Sequence, residues 1–204
     1  LQKACPDVDF SYSFPLYGQT VSSCDRVLDL SHQEIDDRGA AVFEAMQAMP
    51  RLEMLDMDSC GVSNEDMARI RDAYPQVKVV WRIWFGENYT VRTDVERILA
   101  SKPGVGGIMT EENTEALKYC TEVKYLDLGH NPDLETIEFV RYMPKLEVAI
   151  LAMDLWSDCS PLAACTELEY LEVYRSDVTD LSPIANCKKL KHLNASAFFY
   201  GVIC

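Results

Sequence analysis

The sequence predicts an α/β solenoid: a right-handed coil with a parallel β-sheet on its concave side and helices or 3₁₀ turns on its convex side. Three observations predict it. First, one pattern recurs, as "VKYLDLGHN" from Val123, "LEVAILAMD" from Leu146, "LEYLEVYRS" from Leu168 and "LKHLNASAF" from Leu190, with starts 23, 22 and 22 residues apart. A period in the twenties means stacked coils, none of which could bury its own apolar side. Second, residues alternate within each copy, so that Leu126 and Leu128 point inward while Tyr125 and Asp127 point outward. Third, each copy ends on a polar column, Asn131 with Cys60, Asp154 and Ser176, where a sharp bend exposes backbone groups that need partners.

Each element follows in order. "CPDVDFSYSFPLYGQTV", residues 5 to 21, alternates in polarity around Gly18 and reads as a β-hairpin. "DRVLDLSHQ" from Asp25 is an early repeat strand, with Leu28 and Leu30 in the apolar columns. In "IDDRGAAVFEAMQAMP" the residues Val42, Ala45, Met46 and Met49 fall at helical spacing. "LEMLDMDSC" from Leu52 is the next strand. A second helix then carries Met67, Ile70 and Tyr74 behind a Ser63 to Asp66 capping box. An irregular copy near Val77 leads into a second hairpin within "YPQVKVVWRIWFGENYTV", turning at Gly86. Alternation puts Trp81 and Trp84 on opposite sides, one in the core and one against the insert.

"TDVERILA" has the Thr93 and Glu96 of a capping box and predicts a short helix. "KPGVGG" is a loop, and "TEENTEALKYC" predicts another helix. In the last copies about eleven residues separate successive strands, with "SPL" or "SPI" among them, which leaves room only for a 3₁₀ turn. The whole is expected to be one solenoid over 1–204, with an irregular hairpin and helical insert at about 77–116, and a fragment of a longer chain.

With these columns in place, the chain resembles the leucine-rich repeat proteins everywhere except residues 85 to 116. "WSDCSPLAACTELEYL" and "VTDLSPIANCKKLKHL" are similar to the 22-residue repeats of bacterial internalin-type proteins, and the copies near Ile35 and Val62 resemble a longer, helix-containing class. The resemblance implies a bacterial protein, at the cell surface or secreted. The thiols point the other way, toward a reducing compartment.

Lys and Arg total 19 against 33 Asp and Glu, a net charge of -14. Phosphate backbones and anionic lipid are repelled by such a surface, which excludes nucleic acid as a partner class. No apolar run is long enough to insert into a membrane. Of eight cysteines, Cys5, Cys120, Cys165 and Cys187 share an apolar column with Met49, Tyr74 and Met143, and Cys60 lies in the polar column. These five read as buried free thiols, leaving Cys24, Cys159 and Cys204 open. There is no Cys-x-x-Cys pair for zinc, and His32, His130 and His192 lie too many coils apart to share an ion. Nothing sets a thiol beside an imidazole, so neither catalysis nor a cofactor is expected.

The outward strand positions form the candidate ligand-binding face: Tyr125, Asp127, Ile150, Met153, Tyr170, Glu172, Tyr174 and Arg175. Aromatic and apolar side chains edged by carboxylates suit a protein or peptide partner. The same residues also favour strands on their own account, and the column Asp29, Asp56, Asp127 and Glu172 reads first as a solvated charged face. Two functions stay open: a non-catalytic protein- or peptide-binding module, and a spacer or scaffold array within a larger multidomain surface protein.

Overall fold

The computed structural model describes residues 11–85, 89–101 and 109–196. Cys5, the turn at Gly86, the "KPGVGG" loop and the tail from Ala197 to Cys204 lie outside the described residues. The chain divides into two compact units, Leu1–Arg82 and Ile83–Cys204.

The first unit opens on an antiparallel hairpin, β1 (Ser13–Leu16) with β2 (Gln19–Ser22), registered Phe14 to Val21. Its two turn residues, Tyr17 and Gly18, both have positive φ, as a tight two-residue hairpin requires. Next come β3 (Val27–Asp29), α1 (Ala40–Gln47), β4 (Met54–Asp56), α2 (Asn64–Ala73) and β5 (Lys78–Val80). The strands make a parallel sheet in the order β3-β4-β5, which stacks Leu28, Leu55 and Val79 in one buried column.

Helix α1 starts at Gly39, whose φ of 76° excludes most side chains and whose added Cβ would meet Ile70 Cδ1 at 2.8 Å. The Asp37 carboxylate accepts from the amides of Gly39 and Ala41 and from the Tyr17 hydroxyl at 2.7 Å, so the hairpin is tied to the helix start. Burial would raise the Asp37 carboxyl, but these donors hold it below the ordinary range. Helix α2 is capped as expected, with Ser63 Oγ accepting from Asp66 N at 3.2 Å.

The second unit opens in the same way. β6 (Arg82–Phe85) pairs with β7 (Tyr89–Arg92) and is followed by β8 (Arg97–Leu99). The helix expected in "TDVERILA" is therefore a strand. Its polar start resembles a cap, but Ile98 and Ala100 are buried at alternate positions and Ile98 registers with Leu126, which is strand periodicity. After β8 come α3 (Glu111–Thr114) running into the 3₁₀ turn η1 (Glu115–Tyr119), β9 (Tyr125–Asp127), η2 (Glu138–Tyr142), β10 (Val148–Ile150), η3 (Ser160–Ala164), β11 (Tyr170–Glu172), η4 (Ser182–Asn186) and β12 (His192–Asn194). The strands form one parallel sheet in the order β12-β11-β10-β9-β8.

Each late return is thus a 3₁₀ turn, with Pro161 and Pro183 in its first positions as the short spacing requires. Ile98, Leu126, Ala149 and Leu171 are wholly buried in one column. Leu193, in the same column, is 45% exposed, because β12 is the last strand among the described residues. Trp81 is buried and donates to Asn64 Oδ1 at 2.9 Å. Trp84 is 58% exposed rather than packed against an insert.

The two hairpins are equivalent at an offset of 70 residues. Val21 and Val91 are both buried, as are Ser23 and Thr93, and Leu28 corresponds to Ile98. Gln19 Nε2 donates to the Asp29 carbonyl and Tyr89 Oη to the Leu99 carbonyl, each at 3.2 Å. Each hairpin therefore satisfies the last carbonyl of an edge strand, a group otherwise left open to pairing with another chain.

Candidate binding face

The register of the five-stranded sheet sorts its outward side chains into rows. Arg97, Tyr125, Val148, Tyr170 and His192 make the first, and Leu99, Asp127, Ile150, Glu172 and Asn194 the second. Neighbouring strands lie roughly 4.8 Å apart. On the three central strands the rows form a two-by-three patch, with Val148 between Tyr125 and Tyr170 and Ile150 between Asp127 and Glu172. All six are half-buried, so they support one another across the sheet yet still present surface to solvent.

Strands β3, β4, β9 and β12 end in a fixed turn. Asp29 Oδ1 accepts from Ser31 N, Asp56 Oδ1 from Asp58 N, Asp127 Oδ1 from Gly129 N and Asn194 Oδ1 from Ser196 N. The aspartates of the acidic column are thus structural in their first duty: each closes its turn by binding the amide two residues on. Three residues past that position His32, Ser59, His130, Met153 and Arg175 all have φ between 54° and 66°. This left-handed step swings the chain into the bend and sets Met153 and Arg175 as a rim beyond the patch. Tyr174 stands one row before the rim, level with Gly129 and Ala152, and Arg175 lies over its ring at 5.8 Å. A Cβ on Gly129 would come within 3.2 Å of the Ala152 carbonyl, so this row is tightly packed at β9.

Of the eight candidate residues, Tyr125, Asp127, Ile150, Tyr170 and Glu172 fall in the two rows; Arg97, Leu99 and Asn194, which sequence reasoning did not single out, extend the rows together with His192. The alternation of "ERILA" was the signal for the first pair. The Arg97 guanidinium sits 4.4 Å over the Tyr125 ring, and the Tyr170 ring lies 6.0 Å from His192 while its hydroxyl donates to Glu172 Oε2 at 3.1 Å.

The strand approaches carry ion pairs between consecutive coils: Arg26 with Glu53, Glu96 with Lys124 at 2.9 Å, Glu122 with Lys145 at 2.6 Å, Glu167 with Lys189 at 2.5 Å and Glu169 with Lys191 at 2.8 Å. Exposed pairs of this kind are weak and serve register more than stability. Among the described residues none joins the coil of β10 to that of β11, and the exposed Glu147, directly before Val148, makes no ion pair.

Beneath the rim the polar column is buried. Asn131 Nδ2 donates to the Leu128 carbonyl at 2.5 Å and its Oδ1 accepts from Met109 N at 3.0 Å. Ser176 Oγ donates to the equivalent carbonyl of Val173 at 2.8 Å. Asp154, between them, cannot donate when ionised. Instead the fully buried Trp156 supplies the donor, Nε1 to the Leu151 carbonyl at 2.9 Å. Asp154 Oδ1 accepts from Asn131 N at 2.7 Å, whereas Oδ2 has no protein partner. Burial pushes this carboxyl up to about 8, against the pull of the Asn131 amide and helped by the charge on Asp127.

The thiols pack as the columns imply. Cys60, Cys120, Cys159, Cys165 and Cys187 are buried and Cys24 is half-buried, all six outside any disulfide. Cys165 Sγ reaches the Val140 carbonyl at 3.6 Å and Cys187 Sγ the Leu162 carbonyl at 3.4 Å, each on the preceding return. Burial raises Cys60, Cys165 and Cys187, and pushes Cys159 up to about 11 with help from Asp180 and Asp158. A thiol so placed is a poor nucleophile at neutral pH. No group of three or more His, Cys, Asp or Glu among the described residues could hold a metal ion. No described helix is long and apolar enough to cross a membrane.

Parallel strands one per coil, an inward leucine column, and a buried Asn-Asp-Ser column at the bend are now all in place. The architecture is that of a leucine-rich repeat solenoid. No family model matches the chain, and no curated protein matches it. Among solved structures the repeat protein is similar to internalin C2 of Listeria monocytogenes, at 20% identity over 74% of this chain and 55% of that one, with a TM-score of 0.40. It is also similar to the internalin inlF of the same species, at 16% identity over 83% and 47% with a TM-score of 0.41, and to a leucine-rich repeat protein of Leptospira interrogans, at 14% identity over 84% and 37% with a TM-score of 0.37. The chain spans about half or less of the length of these proteins. At such scores the repeat assignment rests on the chain's own register and buried columns.

Proposed function

We propose that the repeat protein is a non-catalytic binding module that takes a protein or peptide on the outward face of its five-stranded sheet. One observation carries this reading: the two-by-three patch of Tyr125, Val148, Tyr170, Asp127, Ile150 and Glu172, in register on adjacent strands, with Met153, Tyr174 and Arg175 along its rim. Its side chains are held by the sheet and by turn hydrogen bonds, so binding would require little ordering of the face. Aromatic rings at fixed spacing with carboxylates beside them combine apolar contact with directional polar contact, as protein interfaces do.

The test is a random dodecapeptide display library selected on the immobilised protein. Recovered binders should lose at least tenfold in affinity on Tyr170→Ala and on Ile150→Asp, with the far-ultraviolet circular dichroism and melting of both variants unchanged. Binders indifferent to both substitutions, or no binders at all, would reject this face and favour a spacer array.

A further inference from the structure

The charges around the patch are not balanced, and the imbalance says which partner the face fits. Three carboxylates lie around it. Asp127 and Glu172 flank Ile150 one strand to either side, about 9.6 Å apart by strand spacing, and Glu147 stands at the entry of the strand between them. Elsewhere in this unit the strand approaches are neutralised by the Glu-Lys pairs between coils, but Lys124 is taken by Glu96, Lys145 by Glu122 and Lys191 by Glu169. Among the described residues Glu147 makes no ion pair, although its charge is felt by Lys124 and Lys189. Asp127 and Glu172 accept hydrogen bonds from Gly129 N and the Tyr170 hydroxyl, neutral donors that leave their negative charge uncompensated.

The cations of the face are peripheral, Arg97 over the Tyr125 ring on the edge strand and Arg175 over the Tyr174 ring at the rim. Arg97 also demonstrates on this protein what the face accepts: a guanidinium lies flat on an outward tyrosine at 4.4 Å. Tyr170, two strands from Tyr125, presents the same ring type beside Glu172.

We propose that the occupant of this face is a basic segment of a protein, in which arginine or lysine side chains meet Asp127, Glu147 and Glu172 while apolar side chains between them lie on Val148 and Ile150. This rests on the reading of the face as a binding site and goes beyond it in fixing the partner's chemistry. The carboxylates give direction and rate of encounter, and the apolar centre gives residence.

The same dodecapeptide selection tests it, with two variants of equal net charge. In one, Asp127→Asn, Glu147→Gln and Glu172→Gln are combined, Asn preserving the turn acceptor. In the other, three exposed helical carboxylates are removed by Glu44→Gln, Glu65→Gln and Glu112→Gln. The binders should be enriched in arginine or lysine interleaved with apolar residues, lose at least tenfold in affinity on the first variant, and keep it within twofold on the second. Equal loss on both variants would mean attraction to overall charge and would overturn the inference. Binders abolished by Ile150→Asp but not enriched in basic residues would overturn it while leaving the binding face intact. Binders indifferent to Ile150→Asp would overturn both.

Discussion

Asp154 sets a pH dependence that can be read in one residue. Its carboxyl is raised from 3.8 to about 8 in the folded chain, so between those values the folded state holds a proton that the unfolded state has released. Stability due to this group is complete below 3.8 and is lost as pH rises toward 8, by at most about 1.4 kcal/mol per pH unit. Asp154→Asn should therefore raise the melting temperature at pH 8 and leave it nearly unchanged at pH 4. Equal melting of the two proteins at pH 8 would refute the assignment. At Met153, a left-handed backbone costs a residue with a side chain about 1 kcal/mol relative to glycine. Met153→Gly should accordingly hold or raise stability in urea titration while weakening peptide capture, which separates the rim's contribution to contact from its contribution to folding.

At the scale of the element, the bend is held by a donor, and the donor need not come from the same position in every coil. Asn131 and Ser176 give it from the polar column itself, whereas in the Asp154 coil Trp156 gives it from two residues downstream. Trp156→Phe keeps most of the buried volume and removes the donor, so it should destabilise by about 2 kcal/mol, beyond the cost of the small change in packing. Asn131→Ala, which strands both the Leu128 carbonyl and the Met109 amide, should cost about 3 kcal/mol, measured in the same urea titration. The position of this column was legible in the sequence because the bend repeats, but the substitution by Trp156 was not, since it depends on an indole folding back across five residues. In the same way the leucine spacing predicted the rows from Tyr125 to Glu172. β8 was obscured because Thr93 and Glu96 imitate a helix start, and only pairing with β9 makes "RIL" a strand. Nor could periodicity reveal the vacancy beside Glu147, which follows from the neighbouring lysines choosing other partners.

For the whole molecule, the buried thiols give a chemical measure of integrity. Cys60, Cys120, Cys159, Cys165 and Cys187 should react with iodoacetamide only as the coils open, and more slowly than Cys24, as resolved by site-localised mass spectrometry. Rapid modification of Cys159 in the folded protein would contradict its burial. The paired hairpins bear on how such a stack can begin. A parallel sheet can grow sideways without limit unless something occupies its first flank, and here the same short motif does so twice, through Gln19 at Asp29 and through Tyr89 at Leu99. The motif is thus a transferable stopper: placed ahead of an unrelated repeat array that self-associates through its leading strand, residues 11–31 should render that array monodisperse.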